Sequence, residues 1–159
     1  MKKIQDIIVG DVLKGVSTTN TVVALIRPQL GNKHLYAIND THEFVTANHP
    51  FLTTKGWKSL DPIATQKEIP DLTVGLLEIG DTLITTSGTI VIQSIITKTA
   101  LPSTQLYNFE LDGDHTYFAN GFAVHNKYDV GQCPYVNDGE GNYIPSPSCT
   151  WYSYNAPVS

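Results

Sequence analysis

Cysteine is scarce in this 159-residue chain: there are two, Cys133 and Cys149, and none precedes them. A scaffold stapled by disulfides is therefore excluded for everything upstream of Cys133. The pair itself is a disulfide in an exported protein or two free thiols in a reducing compartment. Long apolar runs are also missing, since none approaches the roughly 18 residues that a membrane-spanning helix needs. The start, Met1-Lys2-Lys3, is basic, but Asp6 and Asp11 interrupt the apolar stretch of a signal peptide. The expected location is the cytoplasm, or that of a phage or secreted host protein. Excess positive charge is absent: 10 Lys and Arg against 15 Asp and Glu leave a net charge of -5. This argues against nucleic acid or an anionic membrane as partner. No segment holds a 3.6-residue apolar period over three turns, so the expected class is mostly β.

What is present is a succession of short strand signals. Ile7-Ile8-Val9 precedes Gly10-Asp11, and Val12-Leu13 follows. Thr21 to Ile26 reads as a buried strand stopped by Pro28 and Gly31. His34 to Ile38 alternates, Asn39-Asp40 turns, and Glu43 to Thr46 resumes as a strand. The stretch 58–75 is mixed and admits a short helix. Leu83 to Thr86, Ser87-Gly88 and Thr89 to Ile92 read as a hairpin, which Ile95 to Thr99 extends.

An internal repeat underlies this order. Val9-Gly10-Asp11-Val12-Leu13 matches Ile79-Gly80-Asp81-Thr82-Leu83, Leu35-Tyr36 matches Leu106-Tyr107, and His42 to Ala47 matches His115 to Asn120. The displacement stays at about 70 positions throughout, the signature of two related halves, 5–55 and 76–126. Such halves pack about a pseudo-twofold axis, which brings His49 and Asn126 to a shared centre. After Asn126 the alternation stops. Residues 127–159 are rich in Gly, Pro, Ser, Asn and Tyr, hold too few aliphatic residues for a core of their own, and read as a passenger segment.

The residues suited to chemistry cluster at the half-ends. Thr46-Ala47-Asn48-His49 places an imidazole at a strand end before Pro50, where it serves either as a proton donor to a strained peptide or as an ordinary His-Pro turn. His115 is either a turn histidine or a partner of the terminal pair. His125-Asn126 stands at the composition break. An asparagine side-chain nitrogen reaches its own carbonyl carbon through a five-membered ring, and a neighbouring histidine can protonate the leaving amine. Asn120-Gly121 reads as a turn, because both residues tolerate positive φ. The histidine spacings match no common zinc pattern and no cofactor motif is present, so neither metal nor cofactor is expected.

These motifs resemble those of the Hint domains, the fold of inteins, hedgehog autoprocessing domains and bacterial or phage intein-like domains. Thr46-Ala47-Asn48-His49-Pro50-Phe51 with Gly56-Trp57 is similar to the family's TxxH block, and Tyr107 to Asn126 to its last two blocks, which end in His-Asn. The resemblance covers residues 4–126 and implies a horseshoe-like, pseudo-twofold β fold for residues 1–126. It also implies a single-turnover autoprocessing site built from Asn126, His125, His115, His49 and Thr46.

Three departures modify that expectation. The family's chemistry begins at a Cys or Ser on a first strand, whereas this chain starts at Met1. The residue after the terminal asparagine is Lys127, a poor acyl acceptor at neutral pH, where splicing members have Ser, Thr or Cys. Asn108 stands where the family often has Asp and cannot act as an acid or base. Splicing is therefore not expected, while cleavage after Asn126 by asparagine cyclisation is. The alternatives are a split or truncated form that takes a nucleophile-bearing N-terminal fragment in trans by strand addition, or an inactive fold that presents the tail. Trp151-Tyr152-Ser153-Tyr154 would suit the latter. The partners expected are that fragment and the flanking host sequence.

Overall fold

Two turns with the same hydrogen bonds organise the molecule. In the computed structural model, Ile8 N donates to Asp11 Oδ2 (3.1 Å) and Glu78 N to Asp81 Oδ2 (2.8 Å). Gly10 N reaches Val22 O and Gly80 N reaches Ile92 O, both at 2.8 Å. The return bonds, Val22 N to Asp11 O and Ile92 N to Asp81 O, are also 2.8 Å. Gly10 and Gly80 have φ of 95° and 98°, a conformation that a side chain would oppose. The structure describes residues 2–126 and the strand residues 135–137, 143–145 and 157–158. The expectations for Lys127, Cys133, Cys149 and the Trp151–Tyr154 cluster lie outside the described residues.

In chain order the elements are β1 (Lys2–Lys3), a 3-10 turn (Ile4–Asp6), β2 (Val12–Lys14), β3 (Thr19–Ile26), β4 (Leu35–Ile38), β5 (Phe51–Thr53) and β6 (Gly56–Ser59). Then come α1 (Pro62–Glu68), β7 (Gly75–Leu76), β8 (Thr82–Thr85), β9 (Gly88–Val91), β10 (Ile95–Lys98), β11 (Asn108–Leu111), β12 (Thr116–Ala119) and β13 (Phe122–His125). Three short strands follow: β14 (Tyr135–Asn137), β15 (Tyr143–Pro145) and β16 (Pro157–Val158). The largest sheet runs β1-β16-β12-β13-β8-β5-β6-β7, with β9 added to β8.

The halves exchange strands. β3 of the first half pairs with β11 of the second, and β10 of the second pairs with β4 of the first. Matching side chains close both junctions, with Asp112 Oδ1 accepting from Thr21 N (2.6 Å) and Asn39 Oδ1 accepting from Gln93 N (2.7 Å). The mostly β, pseudo-twofold architecture read from the repeat is the one observed.

Local readings differ in three places. Ile7-Ile8-Val9 is a turn, with Ile7 buried and Ile8 and Val9 exposed, because the Asp11 carboxylate captures Ile8 N. Glu43 to Thr46 is irregular, although Phe44 and Val45 are buried and bond to Tyr36 through the backbone. Ile95 to Lys98 does not prolong the β8–β9 hairpin but crosses to β4, because that is where its partner edge lies. The short helix within 58–75 is α1, started by Asp61, whose Oδ1 accepts from Ala64 N (3.1 Å), and by Pro62 at its first turn.

The core lies where the two halves meet. Phe44, Phe51 and Phe122 form a triangle with ring centroids 5.9–6.2 Å apart. Phe109 packs on Tyr117 at 4.8 Å. Val158 of β16 is buried in the same cluster.

Candidate functional site

β13 carries the terminal pair to the centre of the molecule. It is antiparallel to β12, with Thr116 opposite His125, and it also pairs with β5, with Val124 opposite Phe51. The hairpin that joins β12 to β13 turns at Asn120-Gly121, with φ of 51° and 80°, as the turn reading required. All of Phe122 to Asn126 is buried. Asn126 has no exposed surface, so its side-chain amide is shielded from water.

Asn126 is held at both its backbone and its side chain. Its N–H donates to His115 O at 2.6 Å, and its Nδ2 donates to Phe109 O of β11. Asn126 Oδ1 is buried with no hydrogen-bond partner among the described residues. β11 and the turn before β12 therefore converge on one residue.

His115 sits at φ 60°, in the left-handed region. Its Nδ1 lies 2.6 Å from Leu111 O, which can only accept, so Nδ1 carries a proton and the neutral ring keeps its lone pair on Nε2. Its ring is 6.2 Å from that of His125. The His125 ring stands edge-on to Trp57 at 5.2 Å, and its backbone N–H donates to Pro50 O (3.2 Å). Trp57 of β6 thus packs against the His125 ring.

His49 enters from the other half. It is buried, and its Nε2 is 3.2 Å from Tyr117 Oη of β12. Burial, with a smaller electrostatic contribution from the neighbouring His125 and against the Pro50 backbone, pushes the ring down to about 3, so His49 is neutral at neutral pH. The Pro50 carbonyl ties the segment after His49 to His125, which brings the two half-ends together as the repeat demands. Thr46 O accepts from His49 N (3.2 Å), and its side chain joins a network that leads to α1. Its Oγ1 donates to Asn48 Oδ1 (3.0 Å), Asn48 Nδ2 donates to Glu68 Oε1 (3.0 Å), and Thr65 Oγ1 donates to Asn48 O (2.8 Å). Helix α1 is thereby the back wall of the Thr46–His49 turn. Asn108 opens β11, buried, with its Oδ1 accepting from Phe109 N (2.9 Å).

The residues that hold His115 were not singled out by sequence reasoning. Asp114 accepts from Asn20 Nδ2 (2.6 Å), Thr116 Oγ1 (2.7 Å), Ser17 N (3.0 Å) and Thr116 N (3.2 Å). Burial alone would raise the Asp114 carboxyl, but these four donors outweigh it and bring it down to about 2. Asn20 also donates to Thr116 O (2.8 Å) and accepts from Asp114 N (3.2 Å). This clamp binds the Ser17–Asn20 turn of the first half to both sides of His115. The only local signal was an acidic residue next to a histidine, since Asn20 lies 94 positions away from Asp114.

Among the described residues, no group of three His, Cys, Asp or Glu side chains is placed to hold a metal ion. None of the described helices is long and apolar enough to cross a membrane.

A mostly β fold whose two halves exchange strands is the Hint fold of the inteins. The chain is similar to the crystal structure of the gp41-1 intein, with 23% identity, 79% of this chain and 88% of that chain covered, and a TM-score of 0.58. It is also similar to the solution structure of a bacterial intein-like domain from Clostridium thermocellum, with 21% identity, 77% of this chain and 86% of that one covered, and a TM-score of 0.55. No protein-family model and no curated protein matches the sequence.

Proposed function

We propose that this chain is an autoprocessing domain that cuts itself between Asn126 and Lys127. The observation that carries this reading is the confinement of Asn126, whose backbone N–H and side-chain Nδ2 are each held by a carbonyl in a site without solvent. Nδ2 attacks the Asn126 carbonyl carbon, the bond to Lys127 nitrogen breaks, and a succinimide forms at Asn126. The proton that Nδ2 loses is taken up by the departing amine. His115, with its lone pair on Nε2, is suited to accept that proton, and His125 to pass a proton to the Lys127 nitrogen. Holding nucleophile and carbonyl in attack geometry is worth roughly 7–11 kcal/mol of the barrier, and the low dielectric strengthens each polar contact.

His49 is neutral and buried, which suits a hydrogen-bonding role toward the site through Tyr117 rather than that of a charged acid. The intein likeness lends the fold, and the His-Asn end lends the chemistry. Mass spectrometry of freshly purified protein under denaturing conditions tests the reading. A fragment beginning at Lys127 is expected, and it should vanish in Asn126→Ala. A folded chain that stays intact for days at neutral pH would refute self-cleavage.

A further inference from the structure

Asn120-Gly121 is the one Asn-Gly pair in the chain, and it forms the turn between β12 and β13. Ala119 and Phe122 face each other across that turn, and Thr86 N donates to Gly121 O (3.0 Å), which ties it to the end of β8. With φ of 51° and 80°, both residues are left-handed. In a turn of this type the peptide nitrogen of the second residue points away from the side chain of the first. Asn120 Nδ2 is buried and has no hydrogen-bond partner among the described residues. The ladder that starts at this turn ends with Thr116 opposite His125, next to Asn126.

We propose that Asn120-Gly121 is a latent modification site, shielded from deamidation by its turn and exposed to it when the hairpin opens. Once the turn is released, the Gly121 nitrogen can reach Asn120 Cγ, and glycine puts no side chain in its way. The N–Cγ bond forms, the Cγ–Nδ2 bond breaks, and Nδ2 leaves as ammonia with the proton from Gly121 N. Water then opens the succinimide at either carbonyl and gives aspartate or isoaspartate. Neither product fits the turn. Aspartate sets a carboxylate oxygen where Nδ2 lies buried, which takes a charge out of water. Isoaspartate carries the chain through Cβ and Cγ, so the backbone between Ala119 and Phe122 lengthens and the ladder cannot close in the same register. His125 and Asn126 depend on that register for their place beside His115. A single modification therefore makes an opening of the hairpin irreversible.

The test uses the full chain with Asn126→Ala, so the outcome does not depend on whether Asn126 cuts itself. The protein is kept in mildly alkaline buffer with and without unfolding urea, and peptide mapping by mass spectrometry follows the gain of about 1 Da at Asn120. Conversion should be at least tenfold slower without urea. After urea is removed, the modified fraction, separated by its added negative charge, should exchange amide hydrogen in 116–125 at least tenfold faster than the unmodified fraction. The β3–β11 ladder, as the folding control, should be equally protected in both. Asn120→Asp, made directly and never exposed to urea, should show the same local rise. Asn120→Gly, which tolerates the turn and has no amide to lose, should gain no mass there and keep its protection. Equal conversion with and without urea, no conversion in urea, or Asn120→Asp with a hairpin as protected as the parent's would overturn the proposal. So would a rise in Asn120→Asp that spreads to β3–β11.

Discussion

Asn126 and His49 are buried and Asp114 only partly so, and the three do different work. Asn126 is neutral, so it can sit in the core with its amide bonded to carbonyls at modest cost. His49 is in the core only as a neutral ring. The unfolded chain takes up a proton near pH 6.5, but the folded one does so only near 3, so the stability associated with His49 is intact above about 6.5 and falls as the pH drops toward 3. Thermal melts at pH 7 and pH 4.5 should show a loss in the parent that is smaller in His49→Gln. Asp114 loses stability in the same direction, as the pH falls, but over a lower range. Its folded value of about 2 lies below the ordinary 3.8, so its contribution is present above about 3.8 and vanishes as the pH falls through 2. Asp114→Ala leaves Asn20 and Ser17 donors without their acceptor and should lower unfolding stability by about 1–3 kcal/mol at neutral pH, measured by urea titration. The same change frees the His115 backbone, so release of the Lys127 fragment should slow as well.

At the scale of elements, helix α1 is short but tied to the site from behind. Seven residues are too few to be stable alone, so its packing and its cap carry it. Asp61→Ala removes the N-cap acceptor and should cost about 1 kcal/mol by urea titration. Glu68→Ala should cost about 1–3 kcal/mol, since it strips a buried acceptor from Asn48 and loosens the Thr46–His49 turn. Glu68→Gln, which retains an acceptor oxygen, should recover most of that loss. The β12–β13 hairpin shows what was legible at this scale: Asn120-Gly121 between alternating apolar runs identifies the turn, and the structure has it. The reading of Ile95 to Lys98 as a continuation of the preceding hairpin failed, because adjacency in sequence says nothing about an edge offered by the other half.

For the molecule as a whole, the pseudo-twofold arrangement makes paired sites comparable. Asp11 and Asp81 hold equivalent turns, but their lysine partners are not equally sheltered. Lys58 is 19% exposed against 50% for Lys2. The Lys58–Asp81 pair is accordingly less screened by solvent, and Asp81→Ala should shift the urea midpoint downward more than Asp11→Ala does. Equal shifts would mean that the carboxylate bonds to Ile8 N and Glu78 N, rather than the ion pairs, carry the effect.

The amino-acid sequence by itself determined the β class, the two halves and the His-Asn pair that closes the second, because these reside in short-range patterns: alternation, Gly-Asp turns and a His-Asn pair followed by a change of composition. Only the tertiary structure decided which strands exchange between halves, that Asn20 and Asp114 clamp His115, that α1 backs the Thr46–His49 turn, and that β16 pairs with β12. Each of these joins residues far apart in the chain through hydrogen bonds or burial. No local preference encodes such a contact until the fold has brought its two sides together.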